Sequence, residues 1–200
     1  MYLWRKLTPS QREQVLEYRK SRCLPWHRPP HFDFEGEVTF LLTAACYEHK
    51  HILGKTSQRM AEFEATILEA CAKAGSHNYA WCILPNHYHL VTRTANLGDL
   101  RSNIGKVHGR TAYRWNREDN ALGRKVWHNY FDRDMRSDRH YWATINYVHN
   151  NAVRHGYAEK WQDWPFSSAQ RFLEAHGHEE TLRIWREFPV SDYGDKWDVY

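Results

Sequence analysis

No stretch of these 200 residues is apolar for long enough to cross a bilayer, which takes about 20 consecutive apolar residues. The opening MYLWRKLTPS lacks the apolar core of a secretory leader. Cysteine is sparse and scattered. Cys23, Cys46, Cys71 and Cys82 form no C-x-x-C pair, which argues against a zinc ribbon or a redox motif. Together these absences point to a soluble, cytoplasmic protein with reduced thiols and no membrane partner. A large excess of one charge is missing too. The 28 Lys and Arg stand against 24 Asp and Glu, a net +4, which permits a nucleic-acid partner without demanding one. Repeats and low-complexity tracts are absent, and the length suffices to bury a core without disulfides.

Aromatic residues are plentiful. Ten Trp and twelve Tyr exceed the usual needs of a core this size and suit base stacking as well as packing. TPSQREQVLEYRKSR reads as a short basic helix, with Thr8 as N-cap, Pro9 in the first turn and Gln11 completing a capping box. The Pro-rich LPWHRPPHFDF that follows is expected to be extended; its aromatic stretch from Trp26 to Phe34 suits base stacking or capping of the core. EVTFLLTAACYE reads as a central strand. SQRMAEFEATILEACAKAG reads as a helix capped by Ser57, with Met60, Phe63, Ile67 and Cys71 on one face and Gly75 at its end. YAWCILPNHYHLVTR gives two strands hinged at Pro85-Asn86. A second helix over about 97–117 carries Leu97, Leu100, Ile104, Val107 and Trp115 as its apolar stripe. KVWHNYFDRDM reads as a further strand, and SDRHYWATINYVHNNAVRHG as a helix from Ser137 or Asp138 to near Gly156. Two more helices follow, near 167–176 and 178–187. The expected fold is α+β: a ferredoxin-like βαββαβ core with an antiparallel sheet, a further helix bearing a tyrosine, and helical extensions at both ends. The expected division is a basic extension over 1–35, a catalytic domain over 36–157 and a helical extension over 158–200.

His87 and His89 stand one residue apart in LPNHYHLV, so a strand turns both imidazoles to one face and Tyr88 to the other. On the helix that ends near Gly156, Tyr147 and Asn151 are four residues apart and therefore stacked, with Arg154 continuing their stripe. The neighbouring stripe of Tyr141, Ile145, Val148 and Ala152 is apolar and suited to dock on the sheet, leaving Tyr147 and Asn151 along its edge. A phenol beside two imidazoles suggests a nucleophile next to a metal. A divalent ion on His87 and His89 would neutralise a phosphodiester, with the Asn151 amide oxygen as a third ligand. One hard oxygen ligand beside two imidazoles, with open positions, suits Mg²⁺ or Mn²⁺ better than a closed zinc site.

LPNHYHLV resembles the histidine-hydrophobic-histidine signature of the HUH endonucleases. With INYVHNNAVRHG, VWHNYFDRDMR and DWPFSS, in that family's order, it is similar to the single-tyrosine transposases of the IS200/IS605 superfamily, above all the REP-associated tyrosine transposases. The resemblance covers roughly residues 30–170. It implies metal-assisted nicking of single-stranded or hairpin DNA through a 5′-phosphotyrosine, with Tyr147 as nucleophile and His87, His89 and Asn151 as metal ligands. One departure is Ala152, where that branch commonly has Pro, a change of helix shape rather than chemistry.

Other readings stay open at this point. Tyr130, Tyr141 and Tyr157 are rival nucleophiles, Asn150 a rival amide, and Cys82 a rival ligand. Arg101, Lys106, Arg110, Arg114, Arg154 and His155 are candidate phosphate contacts, each also at home on a solvated face. Alternation sends Trp127 and His128 to opposite faces, one toward the site and one into the core. A catalytically inactive hairpin-binding module on the same fold is the alternative to an enzyme. The short DMRS linker before the tyrosine helix favours action within one chain, and a monomer over a homodimer.

Overall fold

The computed structural model describes residues 7–21, 36–128, 130–135 and 137–190, except for the side chains of Arg19, Phe131 and Asp132. It divides into two compact units, Met1–Asp33 and Phe34–Tyr200. The expected extended segment with Trp26 and Phe34, Cys23, and the polar tail beyond residue 190 lie outside the described residues. In the first unit, helix α1 (Pro9–Ser21) starts with the capping box. Gln11 N–H donates to Thr8 Oγ1 at 3.3 Å and Thr8 N–H to Gln11 Oε1 at 2.9 Å.

The second unit runs β1 (Val38–Ala45), α2 (Ser57–Lys73), β2 (His77–Ile83), β3 (His87–Thr94), α3 (Leu97–Glu118), β4 (Phe131–Asp134), α4 (Asp138–Arg154), α5 (Ala169–His176) and α6 (His178–Glu187). The strands form one sheet in the order β2-β3-β1-β4, every neighbouring pair antiparallel, which is the ferredoxin-like arrangement expected of βαββαβ. The expected cap of α2 is corrected by one residue: Thr56, not Ser57, accepts the Arg59 N–H at 3.1 Å. The strand expected over KVWHNYFDRDM is shorter than its sequence. Among its described residues, Phe131–Asp134 alone join the ladder, while Trp127 forms an isolated bridge with Cys46.

Alternation along the strands sorts the core into two layers. Phe40, Leu42, Trp81, Ile83, Tyr88 and Leu90 face α2 and α3, meeting Met60, Phe63, Ile67, Ile104, Val107 and Trp115. Leu41, Ala80, Cys82 and Val91 face α4, meeting Ile145, Val148 and Ala152. The expected docking stripe of α4 is thus found. The helix is nevertheless buried all round from Thr144 to His149 and again at Asn151 and Ala152, because α5 and α6 cover its far side. Asn146 Nδ2 donates to the carbonyls of Ile184 and Phe188 at the end of α6, at 3.3 and 2.8 Å. His149 shares a hydrogen bond of 3.0 Å with Ser168, just before α5. Among the described residues no helix is long and apolar enough to cross a membrane.

Two polar features lock the layers. Arg59, only 7% exposed, reaches from α2 to the C-terminal end of α3. It donates to both Asp119 carboxylate oxygens at 2.9 and 3.2 Å, to Glu118 at 2.7 Å and to the Ile52 carbonyl at 2.9 Å. Lys55 and Arg124 also bind Asp119, so three cations hold its carboxyl well below the usual carboxylate range. The second feature is a pair of buried imidazoles. Burial pushes His108, bonded to Tyr88 at 3.0 Å, down to about 4, and His149 down to about 3. In an unfolded chain both titrate near 6.5. Below that value the unfolded state binds protons the native state refuses, so their stability contribution is complete above 6.5 and is lost as the pH falls toward the folded values. Urea unfolding from neutrality to about pH 5 is expected to lose up to roughly 1.4 kcal/mol per pH unit for each histidine. A flat profile would contradict the burial of two neutral rings.

Candidate active site

The two histidines of LPNHYHLV share the sheet face under α4, as alternation requires. Their ring centroids lie 5.0 Å apart, while Tyr88 points through the sheet into the opposite core. Each ring is aimed by a partner on its Nδ1. Thr43, paired with His89 in the β1–β3 register, bonds His89 Nδ1 at 2.8 Å. Asn86 bonds His87 Nδ1 at 2.7 Å through Oδ1, its own Nδ2 donating to the His49 carbonyl at 3.3 Å. Partners of this kind hold each ring's orientation and leave Nε2 outward, as metal-binding histidines require.

From above, α4 lowers Tyr147 and Asn151 onto those Nε2 atoms. The Tyr147 hydroxyl lies 3.3 Å from His89 Nε2, with ring centroids 5.1 Å apart. Asn151 Oδ1 lies 3.1 Å from His87 Nε2. The sequence reading places this pair along the edge of the docking stripe. The structure buries it, with Tyr147 1% and Asn151 0% exposed, because both side chains turn inward onto the imidazoles of β3.

The donor set suits a cation. Asn86 Oδ1 can only accept, so His87 Nδ1 carries the proton and a neutral His87 presents a lone pair at Nε2. Asn151 Oδ1 presents a second lone pair 3.1 Å away. Two acceptors so placed need a proton or a cation between them. The separation fits two adjacent ligands of an ion with bonds of about 2.1 Å, whose octahedral edge is about 3.0 Å. Without an ion, an imidazolium or a rotated Asn151 amide supplies the proton; as placed, Asn151 Nδ2 is buried and has no hydrogen-bond partner among the described residues. Among those residues no third His, Cys, Asp or Glu completes a metal site with the two imidazoles. Cys82 is fully buried, held by the Ala152 backbone and Ser167, and its thiol is pushed far up by burial.

Of the six candidate phosphate contacts, two reach this site. The Arg154 guanidinium lies 6.0 Å from the Tyr147 ring centroid, and His155, the C-cap of α4, turns its ring edge to His87 at 4.9 Å. Arg101, Lys106, Arg110 and Arg114 all lie on α3, across the sheet from Tyr147. Arg114 is engaged there by Glu62 at 3.0 Å and Glu118 at 3.3 Å. Trp127 packs in the α2–α3 core, stacked on His108 at 4.4 Å.

Sequence reasoning missed three residues that shape the site: Thr43, Asn86 and Gly54. Asn86 adjoins His87, so a side-chain bond between neighbours was a readable signal. Thr43 follows only from the β1–β3 register. Gly54 follows from neither. Its N–H donates to the Pro85 carbonyl at 2.8 Å, and a Cβ at this position would lie 2.3 Å from Pro85 Cβ. Only glycine lets this loop brace the Pro85-Asn86 hinge that carries His87.

Residues 39–153 match the family described as Transposase IS200 like. A REP-associated tyrosine transposase of Haemophilus influenzae is 26% identical over 133 residues, 60% of this chain and 73% of that relative. A REP-associated tyrosine transposase of Escherichia coli is 27% identical over 95 residues, 46% of this chain and 53% of that relative, so the match spans about half its length. A solved REP-associated tyrosine transposase bound to a REP hairpin is similar in fold, with a TM-score of 0.56 and 20% identity over 71% of this chain and 82% of that one. With the family match covering more than half its length, the chain belongs to the IS200-like transposase family.

Proposed function

We propose that this protein is a metal-dependent single-stranded DNA strand transferase, acting at hairpin or palindromic repeats through a 5′-phosphotyrosine on Tyr147. One observation carries the reading: the Tyr147 hydroxyl, both imidazole Nε2 atoms and the Asn151 amide oxygen converge within a single chain. Family membership supports the reaction class, and the solved relative's REP hairpin supports the DNA partner.

His87, His89 and Asn151 would hold Mg²⁺ or Mn²⁺, which when bound would neutralise phosphate charge and polarise the scissile bond. Asn86 and Thr43 keep both rings turned for that task. Tyr147 leaves His89 Nε2 to face the phosphate, and its proton passes to water. The phenolic oxygen bonds to phosphorus as the bond from phosphorus to the 3′ oxygen breaks. That oxygen takes up a proton as a free 3′-OH, and the 5′ phosphate remains on Tyr147. The phosphodiester energy is retained in the phosphotyrosine, so attack by a 3′-OH rejoins strands without ATP. Arg154, 6.0 Å from the Tyr147 ring centroid, would meet the phosphate oxygens.

A second reading, a hairpin-binding module without cleavage, is favoured by one fact: the Tyr147 side chain is 1% exposed. Incubation with single-stranded hairpin DNA and Mn²⁺ separates the two. The enzyme reading expects a covalent adduct that survives denaturant, is suppressed by a chelator and maps to Tyr147 by mass spectrometry. Tight hairpin binding with no adduct under any divalent ion would leave the binding module.

A further inference from the structure

Just past the end of β1 that is in register with His87, two aromatic rings are left without a role by the proposed reaction. Tyr47 lies two residues beyond Ala45, whose register partner is His87, so its backbone sits about 7 Å farther along the strand direction. Its N–H donates to the Val126 carbonyl at 2.7 Å, and the His128 N–H donates to the Ala45 carbonyl at 2.8 Å. These bonds set residues 126–128 alongside residues 45–47. Trp127 goes into the core, and His128 stands across from Ala45, whose other neighbour in the sheet is His87. The Tyr47 and His128 rings lie nearly parallel, 11° apart in plane, with centroids separated by 6.3 Å. Lys125, exposed, places its ammonium 4.7 Å from the Tyr47 centroid.

The turn that presents Tyr47 is strained. Glu48 and His49 both adopt left-handed backbone, at φ 58° and 49°. Such conformations persist where the surroundings over-determine them, and they gather at functional sites. Here the surroundings include Asn86, whose Nδ2 binds the His49 carbonyl while its Oδ1 aims His87. One asparagine therefore ties the aromatic turn to the imidazole.

We propose that Tyr47 and His128, with Lys125 beside them, form a stacking subsite for an unpaired DNA base next to the phosphate that Tyr147 attacks. Flat rings offer a base a π-face without sequence preference, and an adjacent ammonium meets its phosphate. A paired base has both faces occupied by its neighbours, so the subsite selects single-stranded DNA at the point of cleavage. The inference rests on the proposed function and extends it to the flanking nucleotide.

The test is a binding cycle that needs no cleavage. Tyr147→Phe protein, with and without Tyr47→Ala, is titrated with single-stranded oligonucleotides carrying one abasic residue at each position around the cleavage site. Tyr47→Ala is expected to weaken binding about tenfold, the scale of one base–aromatic stack, and the abasic residue at one position is expected to remove that difference. Tyr47→Phe should bind as the parent does, because the ring is kept. Lys125→Gln, a surface change with little bearing on the fold, should lower the salt dependence of binding by roughly one unit of slope. A loss on Tyr47→Ala that is equal for every oligonucleotide, or no loss at all, overturns the subsite. If the parent protein still forms its Tyr147 adduct in that case, the proposed function stands without it. If it forms no adduct and binds no single-stranded DNA, the proposed function falls as well.

Discussion

Tyr147→Phe is expected to bind hairpin DNA as tightly as the parent protein and to form no covalent adduct. The ring stays, so its packing against His89 and the core beneath α4 stays too. What is lost on the folded side is one hydrogen bond to His89 Nε2, worth about 0.5–1.5 kcal/mol. What is lost on the chemical side is the only atom proposed to bond to phosphorus. Deleting a nucleophile costs on the order of 10³-fold or more, which places the variant below detection on a denaturing gel. Fluorescence anisotropy on the same samples checks that binding survives. An adduct of near-parental yield would move the nucleophile elsewhere. Tyr141 is poorly suited to that role, packed edge-on against Tyr79 with its phenol pushed up to about 12 by burial. Tyr157 is the stronger rival, with its hydroxyl on His51 and its ring against His155.

The largest expected effect on stability comes from Arg59→Ala. The guanidinium joins the start of α2 to the end of α3 through Asp119, Glu118 and the Ile52 carbonyl. The Asp119 side chain is only 5% accessible, so truncating Arg59 leaves a buried carboxylate short of its main partner. Breaking such a pair from one side costs about 3–5 kcal/mol. With a fall of about 2–4 °C for each kcal/mol in a chain of this size, thermal unfolding should drop by roughly 10 °C. Lys55 and Arg124 remain on Asp119 and keep the loss near the lower bound. Arg114→Ala is the control: its ion pairs with Glu62 and Glu118 are half-exposed, and such pairs contribute about 0–1 kcal/mol. Equal melting of the two variants would contradict the locking role of Arg59.

What the sequence made legible depends on the range of the interaction. Period-two alternation put His87 and His89 on one face, and helical spacing stacked Tyr147 over Asn151. Both are local rules, and both hold in the structure. The order of strands and helices was legible for the same reason. Which side of the sheet each helix takes is not local: the cationic face of α3 could be read, but not its position across the sheet from Tyr147. Nor could the burial of α4 be read, since it depends on α5 and α6 folding back so that Asn146 caps the end of α6. Thr43 and Gly54 belong with these. Their roles exist only once β1 is in register with β3 and the loop after β1 meets Pro85.

The central claim is that one copy of the chain holds the phenol and the imidazole pair together, 3.3 Å apart at Tyr147 and His89. A mixture of His87→Ala and Tyr147→Phe proteins measures it, because each variant keeps the half that the other lacks. With the site complete within each chain, the mixture is expected to yield no covalent adduct with hairpin DNA and Mn²⁺. Adduct restored on mixing would mean that Tyr147 of one copy serves the histidines of another, contrary to the geometry described.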